Sequence, residues 1–185
     1  MSAIPVFEIG VWNAWIFMLI NFLPMPILMR VHKGVLEESL KLYGEANKTV
    51  YYIEWILWAL AFVYSIFLPL RLGTIWFYIG LPVALVGVVT YAIVIVSFAI
   101  NPIGKEPVTT GLYRYSRHPM YITQLVMFIG VGIATASWLF LLLTIVYAAL
   151  SLIYVGSEEH ICLEKYGDAY RDYMKRTPRW IGIPK

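Results

Sequence analysis

Long apolar stretches separated by short polar segments dominate the chain. A helix that crosses a bilayer needs about 20 mostly apolar residues, and five stretches approach or exceed that length. The pattern therefore predicts an all-α integral membrane protein with five transmembrane helices. The predicted spans are residues 11–29, 51–70, 76–100, 120–136 and 138–156.

The helix-ending residues and short links between these stretches predict how the helices connect. Pro69 closes the second stretch, and Asn101-Pro102 follows the third as a stop signal. Only Ala136-Ser137 separates the fourth stretch from the fifth. So short a connection predicts that the last two helices form an antiparallel hairpin.

Basic residues are distributed unevenly between the two predicted sides of the membrane. Thirteen of the fourteen lie in the loop at 30–48, the loop at 105–117 and the tail at 165–185, and Arg71 alone lies on the other side. Because basic residues favour cytoplasmic loops, we expect the N-terminus outside and the C-terminus in the cytoplasm. The first ten residues carry no Lys or Arg, so they do not resemble a cleaved signal peptide.

The composition agrees with a membrane protein. Hydrophobic residues make up 61% of the 185 positions and charged residues 14%, against about 45–50% and 25% in soluble domains. A net charge of +3 is too small to indicate nucleic-acid binding. We expect one membrane domain, in which residues 1–100 supply three helices and residues 101–185 supply a loop, the hairpin and a cytoplasmic amphipathic tail.

Several kinds of chemistry lack their sequence signature. The single cysteine, Cys162, excludes an intramolecular disulfide, and His32, His118 and His160 have no metal-ligand spacing. Neither a GxSxG nucleophile motif nor a GxGxxG nucleotide motif is present. We therefore predict no metal site, and any cofactor must be held by loops and helix ends.

The polar residues concentrate in the third loop, NPIGKEPVTTGLYRYSRHP, and in the tail. Arg117 and His118 precede Pro119, where they suit either an ordinary helix start or an anion site. The tail has helical periodicity, a break near Gly167-Asp168 and an end at Pro178. It is expected either to fold back over the loop or to lie among lipid head groups.

Glu158 and Glu159 lie where the fifth predicted helix leaves the membrane. Carboxylates at that depth need a partner if they face inward, and the candidates are Arg117, His118 and a cationic ligand. Two solvated carboxylates are the alternative. Glu54, near the start of the second predicted span, is a weaker case of a carboxylate that could face inward. The simpler explanation is that its side chain extends to the membrane interface.

Five sequence blocks in the second half of the chain resemble the isoprenylcysteine carboxyl methyltransferase and phospholipid methyltransferase superfamily of integral-membrane enzymes. The resemblance covers about residues 105–184, and the N-terminal helices share only their membrane character. The blocks are Gly111-Leu112-Tyr113, Arg117-His118-Pro119-Met120-Tyr121, Glu158-Glu159, Tyr166-Gly167-Asp168-Ala169-Tyr170 with Tyr173, and Pro178-Arg179-Trp180-Ile181.

The resemblance implies an S-adenosylmethionine-dependent methyltransferase whose cofactor site is on the cytoplasmic side and whose lipophilic acceptor enters from the bilayer. It implies Glu158, at the reacting end, and Arg117 as catalytic residues. Glu159 would bind the ammonium group of the cofactor. The remaining cofactor-binding residues would be Tyr113, His118, Tyr121, Tyr166, Tyr170 and Arg179.

One departure bears on the acceptor. Prenylcysteine enzymes carry an arginine shortly before the paired glutamates, whereas residues 154–157 here are Tyr-Val-Gly-Ser. A prenylcysteine-like carboxylate, a phospholipid amine and a small thiol therefore stay open as acceptors. The alternative functions are a non-catalytic lipid-binding or cofactor-binding protein of the same fold, a sterol-reductase-like enzyme and a small transporter.

Overall fold

A computed structural model describes residues 7–23, 48–101 and 106–184. Within these residues every regular element is helical, apart from one isolated bridge between Asn13 and Pro69. The elements are α1 (Trp15–Phe22), α2 (Lys48–Ile66), α3 (Ile75–Ala99), a 3-10 turn (Gly111–Arg114), α4 (Pro119–Ala134), α5 (Trp138–Tyr166) and α6 (Asp168–Arg176).

Hydrogen bonds bring four helix ends together at one end of the bundle. The backbone N–H of Arg71, between α2 and α3, donates to the carbonyl of Ala134 at the end of α4 at 3.0 Å. Tyr64 of α2 bonds the Ser137 hydroxyl at 2.9 Å. Ser137 also caps α5 by accepting from the N–H of Phe140 at 3.2 Å. Helices α2 to α5 therefore alternate in direction, and α4 and α5 form the predicted hairpin.

Within the described ranges, two helices are long and apolar enough to cross a bilayer, over Ile75–Phe98 and Trp138–Tyr166. The segments Tyr52–Ile66 and Pro119–Ala134 are apolar but shorter. Part of the first predicted span, residues 24–29, lies outside the described residues. The membrane character is thus supported, whereas the number of five spans and their orientation stay predictions.

Glycine allows α3 and α4 to approach unusually closely. A Cβ on Gly87 would lie 2.4 Å from the backbone nitrogen of Met127, and one on Gly130 would lie 2.2 Å from that of Ala84. Atoms cannot be this close, so each position needs a residue without a side chain. Small residues at helix contacts are a common packing device inside membranes, and here they fix α4 against α3.

We expect Gly87→Ala to destabilise the protein by about 1–3 kcal/mol, the usual cost of overpacking, because the added methyl group meets backbone. Gly156 is the matched control, since a Cβ there would meet nothing within 4 Å. Gly156→Ala should be neutral or stabilising through its higher helix propensity. The thermal midpoints of both variants in one detergent test this expectation, and equal midpoints would contradict the packing argument.

Helix α5 is longer than the sequence pattern predicts. It continues ten residues past Gly156 to Tyr166, because residues 157–166 contain no helix breaker until Gly167, which adopts a φ of 54°. Glu158 and Glu159 therefore lie on the same continuous helix as the apolar span. The predicted break at Gly167-Asp168 is confirmed, and α6 follows it.

The tail packs back against the third loop, the first of the two arrangements that the sequence allowed. The N–H of Arg117 donates to the carbonyl of Pro178 at 3.0 Å, and the N–H of Gly182 donates to Tyr115 at 3.1 Å. The Tyr173 hydroxyl donates to the carbonyl of Tyr113 at 2.7 Å. These bonds hold the loop and tail together at the end of the bundle opposite Arg71.

Candidate functional site

A cavity opens at the end of the bundle where α3 ends, α4 begins and α5 meets the tail. Its walls come from α3, the third loop, the first turn of α4, the last turns of α5 and α6. Seven of the nine site residues predicted from the sequence line it, namely Tyr113, Arg117, His118, Tyr121, Glu158, Tyr166 and Tyr170. The other two, Glu159 and Arg179, belong to an adjoining cluster of charges.

The cavity also has lining residues that sequence reasoning did not select. Phe98 near the end of α3 and Glu106 in the loop line it, as do Cys162 and Tyr173. Tyr173 was within reach of prediction, since it belongs to a block that carries the resemblance. Phe98 and Glu106 carry no such signal, because their contribution depends on how the loop folds over the helix ends.

Glu159 is the centre of the charge cluster. Only 3% of the residue is exposed. Its Oε1 accepts from Nε of Arg117 at 2.8 Å and lies 2.7 Å from Nη2 of the same guanidinium. Its Oε2 accepts from Arg179, which joins the tail to α5. Both oxygens of Glu159 are therefore bound by cations of the protein itself.

Arg117 is fully engaged as well. Besides its two contacts with Glu159, it donates from Nη1 to the carbonyl of Thr177 at 2.6 Å. Each of its guanidinium nitrogens thus has a protein partner, and its side chain is only 8% exposed. Arg117 holds the third loop, α5 and the tail in one arrangement, with its charge neutralised by Glu159.

His118 stands between the two glutamates at the start of α4. Its Nε2 lies 3.3 Å from Oε1 of Glu159 and its Nδ1 lies 3.4 Å from Oε2 of Glu158. Burial alone would lower the pKa of His118, but the bonds and charges of Glu158 and Glu159 outweigh it and raise that pKa. The protonated imidazole donates from Nε2 to Glu159 and places a positive charge beside Glu158.

The raised pKa of His118 predicts a pH dependence with a definite sign. Its protonation stabilises the fold fully below its ordinary pKa of 6.5, and this contribution is lost as pH rises through the raised pKa. We expect the thermal midpoint to fall from pH 6.5 upward in the wild type. In His118→Gln that slope should disappear, and an unchanged slope would assign it to another group.

Glu158 has the opposite environment from its neighbour Glu159. It lines the cavity, and its Oε2 is buried with no hydrogen-bond partner. His118 Nδ1 at 3.4 Å is within ion-pair range of that oxygen, but the hydrogen-bond geometry is not met. Because a buried carboxylate oxygen without a hydrogen bond is costly, a donor group in the cavity would be stabilised by bonding to it.

Aromatic rings form much of the remaining wall. Tyr113, Tyr170 and Tyr173 line the cavity together, and burial raises the pKa of each phenol. The three rings therefore stay neutral and cannot act as bases near neutral pH. Rings beside a carboxylate attract a cation with an aromatic or apolar body. Among the described residues, no group of three or more metal-ligating side chains converges.

Residues 90–169 match the family model for phospholipid methyltransferases. The matched segment runs from the middle of α3 through the hairpin to the beginning of α6, so it contains most of the cavity wall. Together with a methyltransferase among the relatives, this match confirms the resemblance to the isoprenylcysteine and phospholipid methyltransferase superfamily.

Two curated proteins are similar over part of the chain. The nickel-cobalt-cadmium resistance protein NccN of Alcaligenes xylosoxydans xylosoxydans is 34% identical over 77 residues, covering 41% of this chain and 36% of the relative. Methanethiol S-methyltransferase 1 of Bradyrhizobium diazoefficiens is 32% identical over 88 residues, covering 43% and 29%. The chain therefore spans only about a third of the length of these relatives. No solved structure matches significantly.

Proposed function

We propose that this protein is an integral-membrane methyltransferase that uses S-adenosylmethionine as methyl donor and a lipophilic molecule as acceptor. The family match over residues 90–169 and the similarity to a methanethiol S-methyltransferase support the reaction class. The two long apolar helices support its place in the membrane. The donor would occupy the cavity between the third loop, α5 and α6.

The observation that carries this proposal is the buried, unbonded Oε2 of Glu158 in an aromatic cavity. S-adenosylmethionine has a positive sulfonium, an ammonium group and a planar adenine ring. A carboxylate without a neutralising arginine and several tyrosine rings match those features. The lining also includes Glu106, so the described wall offers two carboxylates to a cationic ligand. The residues present therefore fit the donor.

The geometry revises which glutamate has which role. Glu158 faces the cavity, so we propose that Glu158 binds the positive sulfonium of the donor and that Glu159 does not have the ammonium-binding role that the resemblance gives it. Glu159 instead fixes Arg117, His118 and Arg179 behind the wall. In the proposal, Tyr113, Tyr121, Tyr166 and Tyr170 contact the donor, whereas Arg179 acts from the tail side through Glu159.

Bound S-adenosylmethionine would supply an electrophilic methyl group on a sulfonium leaving group. The chain's contribution is alignment of donor and acceptor, which can supply about 7–11 kcal/mol, and the ionised Glu158 beside the positive charge. An amine acceptor must also lose a proton. Oε2 of Glu158 can accept it, because this oxygen has no hydrogen-bond partner among the described residues.

The charges favour some acceptors over others. A carboxylate acceptor needs a cation with a free bonding face, and the guanidinium of Arg117 has none. Two cavity-lining glutamates repel an anion further. We therefore propose an amine or thiol acceptor rather than a prenylcysteine-like carboxylate.

The proposed membrane arrangement has five spans with the cavity at the cytoplasmic face. In the described part of the chain, Arg114, Arg117, Arg179 and the basic residues of α6 lie at the cavity end, and Arg71 lies at the opposite end. This distribution follows the rule that basic residues stay in the cytoplasm.

Binding of radiolabelled S-adenosylmethionine to the purified protein in lipid nanodiscs tests the donor site. The proposal predicts saturable binding of one donor per chain, displaced by S-adenosylhomocysteine. Empty nanodiscs correct for adsorption to lipid. If the protein adds no saturable binding, the donor site is not in this cavity and the proposal fails.

A further inference from the structure

We propose that Glu54 of α2 is a second binding residue of the same site, which holds the protonated amine of an acceptor on the bilayer side of the donor cavity. This inference rests on the proposed function, in which the acceptor enters from the membrane. Its test uses no methyl donor, so the two proposals can fail separately.

Glu54 lies on the inward face of its helix. It is half-buried and shares that face with Leu57, Trp58 and Ala61, whereas Ile53 and Ile56 on the opposite face are 44% and 59% exposed. A carboxylate that snorkels to the interface would not point among inward-facing apolar residues. An ionisable group turned into the interior of a membrane bundle marks a functional position by default.

The protein satisfies Glu54 poorly. Its hydrogen bond within the described residues comes from the Ser151 hydroxyl at 3.3 Å. That hydroxyl has one proton and also donates to the carbonyl of Tyr147 at the shorter distance of 2.9 Å. The described part of the chain shows no cation paired with Glu54, unlike Glu159 with its two arginines. Within the described residues, the carboxylate therefore retains capacity for a further hydrogen-bond donor.

Glu54 packs against the side of α5 that carries Glu158. Ser151, which contacts Glu54, and Glu158 are seven residues apart on α5, so they lie on the same side of that helix about 10 Å apart along its axis. Glu54 therefore lies about two helical turns from Glu158 along α5, on the side of that helix that leads to the donor cavity.

The surroundings of Glu54 favour an amine attached to an apolar chain. One turn further along α2, a small apolar cavity between α2, α4 and α5 is lined by Leu57, Trp58 and Tyr147. Tyr147 is held there by its bond to Gln124 at 2.6 Å. The Glu54 carboxylate would contact the ammonium group of such a ligand, and the neighbouring aromatic and aliphatic side chains would contact its hydrocarbon part.

The test compares two probes with the same chain, dodecylamine and dodecanol, titrated into protein in phosphatidylcholine nanodiscs with empty nanodiscs as the partition blank. We expect wild-type protein to prefer the amine by about tenfold or more, the value of one charge-assisted hydrogen bond. Glu54→Gln should lose that preference. Glu164→Gln, an exposed acid on α5, is the matched control and should keep it.

Glu54→Asp retains the charge and should retain most of the preference, which separates binding from a structural defect. A change confined to thermal stability, with the amine preference intact in Glu54→Gln, would overturn the proposal. So would a wild-type protein that binds both probes equally, or Glu54→Asp and Glu54→Gln that lose the preference equally.

Discussion

Glu158→Gln is expected to remove most of the protein's preference for S-adenosylmethionine over S-adenosylhomocysteine. The two ligands differ in the methyl group and its positive charge, and the unbonded Oε2 of Glu158 is the described group that can respond to that charge. Loss of a desolvated charge pair costs about 2–5 kcal/mol, so donor affinity should fall by about 100-fold. Affinity for S-adenosylhomocysteine should change little.

Titration calorimetry with both ligands measures this ratio for wild type and variant. Glu164→Gln again serves as control, because Glu164 lies on the same helix but is exposed and paired with His160. If Glu158→Gln keeps the preference for the charged ligand, Glu158 does not face the sulfonium, and the account of the cavity is wrong.

Glu159→Ala is expected to detach the tail from the loop. It leaves the guanidinium of Arg117 buried without its counter-ion, and breaking a buried pair in this way costs about 3–5 kcal/mol. Arg179→Ala is a control with a smaller expected effect. The Arg179 side chain is 48% exposed. Its removal takes one partner from Glu159, but Arg117 still neutralises the charge of Glu159.

Limited trypsin digestion followed by mass spectrometry reports on this detachment, since α6 contains Arg171 and Lys175 as cleavage sites. We expect rapid cleavage within α6 in Glu159→Ala, slower cleavage in Arg179→Ala and the slowest in wild type. If Glu159→Ala and wild type are cleaved at equal rates, the charge cluster does not hold the tail in place.

The sequence was sufficient for the features that depend on local pattern. The two-residue link Ala136-Ser137 predicts the α4–α5 hairpin because nothing longer separates the two apolar runs. Gly167 predicts the break before α6 because glycine readily adopts the positive φ found there. The loss of hydrophobicity after Gly156 marks where the apolar span ends, and the helix continues beyond it to Tyr166, next to the predicted break.

The sequence alone could not predict which of Glu158 and Glu159 faces the cavity. Adjacent residues on a helix point about 100° apart, so one of them faces the cavity and the other faces away. Which one does so depends on where Arg117 and Arg179 lie, and therefore on the way the tail folds over the loop. That arrangement is a tertiary property with no local signal.

The direction in which Glu54 points also could not be predicted from the sequence. Its position near the start of an apolar helix is compatible with snorkelling, and only the packing of α2 on α5 shows that it points inward to Ser151. Helix rotation about its own axis is set by contacts with neighbouring helices, so the sequence around Glu54 does not determine it.

Transfer of a labelled methyl group to a lipophilic acceptor is the direct assay of the proposed methyltransferase activity. Purified protein in nanodiscs is incubated with methyl-labelled S-adenosylmethionine and a total membrane lipid extract, and the extract is then fractionated by chromatography. We expect label in an amine- or thiol-bearing lipophilic product, formed by wild type and reduced about 100-fold at limiting donor in Glu158→Gln. Saturable donor binding without any labelled product would contradict this expectation and would leave a cofactor-binding protein without methyltransferase activity.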